Sequence, residues 1–102
     1  MNVIWSEGAL RRVEETASWI AENAGREQAE KWVAGLFAKV GVLASAPLIG
    51  RQVPEIRRKD VRELIYRRKY RIIYLVKRGE GFCLVAAVRH VRRKTTRKNF
   101  AE

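Results

Sequence analysis

The spacing of apolar residues changes once along the chain, and this change restricts the folds that it can adopt. Before residue 44, apolar side chains return every three or four positions, whereas between residues 61 and 89 they alternate or form short runs rich in β-branched and aromatic residues. The first spacing is that of helices with one apolar face, and the second is that of strands. Helices and strands in separate parts of a chain are typical of the α+β class.

The helical part is predicted to form an antiparallel hairpin of two helices. Ser6 is a suitable N-cap for the first helix, and Gly25 follows its last apolar position. The second helix is expected to end at Ala46-Pro47, because proline disfavours the helical conformation of the residue before it. The short connection at Gly25 favours antiparallel packing of the two helices.

The sequence predicts one strand before the helices and three after them. These are residues 2–5, 61–66, 70–76 and 82–88, and a loop is expected from Gly50 to about residue 59. The tight Arg67-Arg68-Lys69 connection favours an antiparallel meander of the last three strands. The predicted fold is therefore α+β in the order β-α-α-β-β-β, with the helix hairpin on one face of the sheet and the other face partly open.

Length and composition exclude several classes of protein. With 102 residues, the chain is expected to be a single domain over residues 1–102. Cys83 is the one cysteine, so no intrachain disulfide can form, and no His/Cys cluster suggests a metal or cofactor site. No apolar run approaches the roughly 20 residues of a membrane span, and the first residues lack the features of a signal peptide. We expect a cytoplasmic protein with no membrane partner.

The positive charge is concentrated in the second half of the chain. Residues 51–102 hold 17 basic and 5 acidic side chains, whereas residues 1–50 hold 5 basic and 6 acidic ones. A surface of this kind attracts nucleic acids or acidic protein segments. The alternative is a solvated basic face that has no partner.

The candidate site residues are basic side chains on the predicted meander and after it. They are Arg62, Arg71, Arg89, His90, Arg92, Arg93 and Lys94, and a basic tail is expected from about residue 92. Clustered guanidinium groups can bind phosphates and stabilise charge in a transition state, and a histidine can transfer a proton near neutral pH. No phosphate-binding loop or hydrolase motif is present.

Each of these residues also has a structural alternative. Arg71 lies on the open face if the helices cover the face of Tyr70, and there it can simply pair with Glu63 on the neighbouring strand. His90 at a strand end can be structural or solvated. Cys83 lies in an apolar strand and is expected to be buried.

The order and spacing of several segments resemble the ParE/RelE superfamily of bacterial type II toxins. These segments are Gly25-Arg26-Glu27-Gln28-Ala29-Glu30, Pro47-Leu48-Ile49-Gly50-Arg51, Val53-Pro54-Glu55, Arg62-Glu63-Leu64, Tyr70-Arg71-Ile72-Ile73-Tyr74 and Val88-Arg89-His90-Val91-Arg92-Arg93. The resemblance covers nearly the whole chain. It implies a growth-arresting toxin that forms a hetero-oligomer with a cognate antitoxin, whose acidic or amphipathic C-terminal segment wraps it.

The resemblance also implies a choice between two targets. ParE-like members act on DNA gyrase, whereas RelE-like members cleave messenger RNA on the ribosome, often with a tyrosine or histidine near the C terminus. Arg71 matches the family's Tyr-Arg-Ile strand, and His90 with Arg93 matches a His-x-x-Arg strand end of ParE-like sequences. No tyrosine follows Tyr74, and Phe100 stands where a RelE-like catalytic tyrosine is expected.

We therefore expect a ParE-like gyrase inhibitor with no catalytic residues of its own. Its target contacts are expected to be Arg71, Arg89, His90, Arg92, Arg93 and Lys94. The first alternative is a metal-free endoribonuclease, in which Arg62, Arg71 and Arg93 hold phosphate and His90 moves a proton. The second alternative is a basic binding module without toxicity.

Overall fold

The computed structural model of the chain describes residues 1–92, and its two helices follow the sequence prediction. Helix α1 is Glu7–Ala24 and helix α2 is Arg26–Gly41. The Ser6 side chain accepts a hydrogen bond from the backbone N–H of Ala9 at 3.0 Å, which confirms the predicted N-cap. Gly25 joins the helices at a φ of 97°, a conformation that glycine adopts without a Cβ clash.

Five strands form one sheet in the order β1-β5-β4-β3-β2. Their bounds are Asn2–Trp5 (β1), Arg51–Gln52 (β2), Val61–Tyr66 (β3), Tyr70–Lys77 (β4) and Phe82–His90 (β5). Strands β3, β4 and β5 form the predicted antiparallel meander. Strand β1 pairs in parallel with β5, so the sheet as a whole is mixed.

Strand β2 lies within the segment that was predicted to be a loop. Its two residues, Arg51 and Gln52, pair with Glu63 and Arg62 of β3. Both β2 residues are exposed and polar, and so short a strand at the edge of a sheet carries no alternation of apolar residues. Strand β2 therefore forms through its backbone pairing with β3, and no pattern in the sequence predicts it.

The helices cover one face of the sheet, which we call the helix face. Tyr70, Ile72, Tyr74 and Val76 of β4 point into this core, as the alternation predicted. Buried side chains of α1 and α2 pack against them, including Val13, Trp32, Leu36 and Val40. Arg71 and Ile73 consequently lie on the opposite face, the outer face.

The outer face is less open than the sequence suggested. Val53 and Ile56, in the segment between β2 and β3, are buried against Val61 and Ile73. This packing brings the segment of residues 53–60 across the outer face, and Glu55 comes to lie beside Arg71 of β4.

Two properties of residues 1–92 concern the predictions about membrane spans and metal sites. Within this range, neither α1 nor α2 is apolar enough over its length to cross a membrane. The same residues contain no group of three or more His, Cys, Asp or Glu side chains placed to hold a metal ion.

Candidate functional site

Arg71 is the centre of a group of charged side chains on the outer face. Its Nε donates to Oε1 of Glu63 at 2.6 Å, and its Nη1 and Nη2 donate to Oε2 and Oε1 of Glu55 at 2.7 and 2.9 Å. Arg51 donates from Nε to the other oxygen of Glu63 at 2.6 Å. We call Arg51, Glu55, Glu63 and Arg71 the ion-pair cluster. The expected pairing of Arg71 with Glu63 is present, and Glu55 is an additional partner.

The burial of its side chains indicates that this cluster has a structural role. The side chain of Glu63 is 0% exposed and that of Arg71 is 7% exposed. The hydrogen bonds that Arg71 donates to Glu55, and then to Glu63, raise the pKa of Arg71 further above its ordinary value, so the guanidinium stays charged. The cluster balances two arginines with two carboxylates and ties the segment of residues 53–60 to the sheet.

Arg62 lies on the helix face, away from Arg71. It is opposite Tyr74 in the β3–β4 register, and its Nη1 donates to the backbone oxygen of Gly50 at 2.9 Å. The Tyr74 hydroxyl donates to the oxygen of Pro47 at 2.8 Å and accepts from the N–H of Gly50 at 3.0 Å. Arg62 and Tyr74 together hold the chain that leads from the helices to β2.

His90 also lies on the helix face, at the end of β5. It is opposite Tyr70, and the two ring centroids are 6.0 Å apart. Its Nδ1 accepts a hydrogen bond from the backbone N–H of Arg92 at 3.2 Å. The imidazole lines an open cleft of about 500 Å³ with Arg12, Glu15, Thr16, Trp19 and Tyr70.

A β-bulge decides which face His90 occupies. Ile73 pairs with Ala87 and Tyr74 pairs with Val85, so Ala86 is an extra residue in β5. One extra residue reverses the faces of all side chains that follow it. The bulge therefore places His90 beside Tyr70 on the helix face and Arg89 beside Arg71 on the outer face.

The predicted nuclease residues are thus not brought together within residues 1–92. Arg71 is on the outer face, whereas Arg62 and His90 are on the helix face, Arg62 opposite Tyr74 near the middle of β4 and His90 opposite its first residue, Tyr70. Arg93 and Lys94 lie outside the described residues, as do Phe100 and most of the predicted basic tail.

Exposed cations do meet at one corner of the sheet. The β3–β4 turn presents Arg67, Arg68 and Lys69, and the N–H of Val91 donates to the oxygen of Lys69 at 2.8 Å, which holds Arg92 beside the turn. We call Arg67, Arg68, Lys69 and Arg92 the basic corner. Arg89 and His90 adjoin it, so three of the predicted contact residues lie at or beside this corner. The turn residues were not predicted as contacts, although three consecutive basic residues in a hairpin connection were a signal for them.

Comparison with known proteins agrees with this fold. The family model described as the ParE toxin of the type II toxin-antitoxin system, parDE, matches residues 3–95. The chain belongs to the ParE toxin family. The predicted resemblance to the ParE-like branch is therefore confirmed, and we refer to the chain below as the ParE-family toxin.

A solved structure supports the fold of this ParE-family toxin independently. It is similar to a chain of the chromosomal ParDE TA system from P. aeruginosa, with a TM-score of 0.75 and 21% sequence identity. The match covers 89% of this chain and 96% of the other. No curated protein sequence matches the toxin. At this identity the structural match shows that the two chains share a fold.

Proposed function

We propose that this ParE-family toxin arrests growth by inhibiting DNA gyrase, and that a cognate antitoxin neutralises it. Membership of the ParE family over residues 3–95 carries the proposal. Both partners would be met in the cytoplasm, the location predicted from the sequence.

The arrangement of the basic residues supports an inhibitor that acts by contact. General acid–base catalysis of RNA cleavage needs the phosphate-binding groups and the proton-transfer group within reach of one scissile bond. Arg71 is separated by the sheet from Arg62 and His90. Its guanidinium is also bound by Glu55 and Glu63. These observations favour gyrase over the ribosome as the target.

The proposed contact surface is the end of β5. It comprises Arg89, His90 and Arg92, and we include in the proposal Arg93 and Lys94, which follow them in the sequence. Arg71 supports this surface from within, because it is the register partner of Arg89 and anchors residues 53–60 through Glu55. The excess of basic side chains in residues 51–102 is suited to an acidic antitoxin segment, in a hetero-oligomer of toxin and antitoxin.

A supercoiling assay tests the proposal. The purified toxin is titrated into gyrase, ATP and relaxed plasmid, and lost supercoiling and linear DNA are scored. We expect dose-dependent inhibition that the antitoxin reverses. The contact variant His90→Gln/Arg92→Gln should inhibit less, whereas Lys59→Gln/Arg78→Gln, at the other end of β4, should inhibit like the wild type.

Two results would contradict the proposal. The first is normal supercoiling at large toxin excess with growth arrest retained in cells. The second is cleavage of messenger RNA in a translating extract by the wild type but not by His90→Gln, which would favour the endoribonuclease.

A further inference from the structure

The β3–β4 turn contains two arginines in a conformation that arginine rarely adopts. The N–H of Lys69 donates to the oxygen of Tyr66 at 3.1 Å, and the residues between them, Arg67 and Arg68, have φ values of 50° and 62°. A turn with positive φ at both central positions is of type I′, which favours Asn-Gly. Arginine has a Cβ that clashes with the backbone in this region.

The presence of arginine at both positions therefore requires an explanation other than turn formation. Residues in unfavourable conformations are concentrated at functional sites, where the side chain is needed more than local stability. Here the side chains are two guanidinium groups at the tip of a hairpin. Arg67 rests on the ring of Tyr66, with Cζ 5.3 Å from the ring centroid, so its guanidinium is held beside the turn.

The acidic side chains of residues 1–92 do not neutralise these charges. Within residues 1–92, none of the four side chains of the basic corner forms an ion pair. Both the turn and residues 89–92 are free of acidic residues. The cations lie at one edge of the molecule, next to Arg89, and their positive potential adds up there.

We propose that the basic corner binds the phosphodiester backbone of duplex DNA, with Arg67 and Arg68 as the central contacts. Guanidinium groups match phosphate oxygens in geometry and bind them through paired hydrogen bonds. The choice of DNA over RNA rests on the proposed function, because gyrase acts on duplex DNA and a toxin bound to gyrase meets that DNA. The phosphate contact itself requires only this chain and a duplex.

The composition of the turn at residues 67–69 favours a nucleic acid over an acidic protein segment. Protein interfaces are centred on buried apolar or aromatic side chains with charges at the rim. The turn residues 67–69 are all cations and include no apolar side chain, whereas an exposed apolar side chain, Val91, lies in the strand end proposed to contact gyrase. A surface made almost entirely of cations is typical of binding to the phosphate backbone without sequence preference.

The test measures binding of the full-length toxin to a fluorescent DNA duplex of random sequence over a range of salt concentrations, without gyrase. The decisive variant is Arg67→Asn/Arg68→Gly, because it removes two charges and installs the dipeptide that the turn favours. Its unfolding midpoint should be higher than that of the wild type, so a binding defect cannot be attributed to misfolding. The matched control is Lys59→Gln/Arg78→Gln, which removes two exposed charges beside Val76, at the other end of β4.

We expect Arg67→Asn/Arg68→Gly to bind the duplex roughly ten-fold more weakly at moderate salt. The slope of its log affinity against log salt concentration should correspond to about two fewer phosphate contacts. The control should bind nearly as tightly as the wild type. Equal weakening in the two variants would overturn the proposal, because binding would then follow net charge alone. No binding by the wild type would overturn it as well.

Two further binding measurements, with an RNA duplex and with the antitoxin, identify the ligand. Tighter binding to an RNA duplex than to DNA would overturn the choice of DNA. Retained DNA binding with lost antitoxin binding in Arg67→Asn/Arg68→Gly would assign the corner to a protein partner instead. Because the duplex assay contains no gyrase, DNA binding with normal supercoiling would leave this proposal standing while the gyrase proposal failed.

Discussion

Arg71 of β4 and Glu63 of β3 form an ion pair of 2.6 Å in which both side chains are almost completely buried. Each of these two charges is stable only while its partner is present, because water cannot reach either side chain to solvate it. The pair also explains why a cation on a β-strand can be enclosed in this fold. Glu63 receives a second arginine, Arg51, and Arg71 receives a second carboxylate, Glu55.

The two carboxylates of the ion-pair cluster should differ in their contribution to stability. Glu63→Gln leaves Arg71 buried next to a neutral amide and should lower the free energy of unfolding by about 3 kcal/mol. Glu55 is 31% exposed, so water can replace part of its interaction, and Glu55→Gln should cost about 1 kcal/mol or less. Urea denaturation of both variants measures the difference. Equal losses would mean that burial does not set the strength of these contacts.

Much of the fold was predictable because its signals are local. The change of apolar spacing, the cap at Ser6 and the glycine at position 25 define the two helices, and alternation defines the meander. Strand β2 was not predictable, because Arg51 and Gln52 are polar and owe their conformation to pairing with β3. The parallel pairing of β1 with β5 is likewise a property of the assembled sheet.

The close approach of α2 to β3 gives a second prediction about stability. A methyl group at Gly35 would overlap the hydroxyl of Tyr66, which donates to the oxygen of Trp32 at 2.8 Å. Gly35→Ala should therefore destabilise the protein by about 2–3 kcal/mol, from overpacking and a weakened hydrogen bond.

Gly8→Ala is the matched control for this substitution, because the added Cβ in α1 would meet no atom within 4 Å apart from the adjoining residues and the backbone of its own helix. Alanine there should be neutral or stabilise by up to about 1 kcal/mol. Thermal unfolding of Gly35→Ala and Gly8→Ala measures the difference in their stability. A stable Gly35→Ala protein would show that the contact between the helix and the sheet can relax.

The site was less predictable than the fold. Pairing of Arg71 with Glu63 followed from their positions on adjacent strands, but Glu55 reaches Arg71 only because Val53 and Ile56 pack on the outer face. The face of His90 depends on the bulge at Ala86, and no pattern in the apolar run of β5 marks that residue. One such insertion separates His90 from Arg71.

The buried hydroxyl of Tyr74 predicts a loss of stability in alkali. Burial raises the pKa of Tyr74 above its ordinary value of 10.0. Above that value the unfolded chain releases a proton that the folded protein still holds, so the free energy of unfolding falls as pH rises. Burial raises the pKa of Cys83 above its ordinary 9.0 and acts in the same direction.

Tyr74→Phe distinguishes the contribution of the Tyr74 hydroxyl from that of the Cys83 thiol. At neutral pH it should cost about 1–3 kcal/mol, because the N–H of Gly50 and the oxygen of Pro47 lose their partner. The difference from the wild type should shrink as the pH rises through about 10 and above, since the variant has no hydroxyl to ionise. Urea unfolding across this range measures it, and a constant difference would contradict the role of Tyr74.

The basic corner predicts a substitution that raises stability while it removes charge. Glycine at position 68 should relieve about 1–2 kcal/mol because it has no Cβ, and asparagine at position 67 should relieve less, because it keeps its Cβ and is tolerated there through local hydrogen bonds. Loss of the contact between Arg67 and the Tyr66 ring offsets about 0.5–1 kcal/mol of this gain. The gain at the two positions exceeds this loss, so Arg67→Asn/Arg68→Gly should gain about 1 kcal/mol, which corresponds to roughly 4–8 °C in the unfolding midpoint. Calorimetry of the variant and the wild type measures the shift. A lower midpoint would show that the two arginines stabilise the turn itself, and their presence there would then need no ligand to explain it.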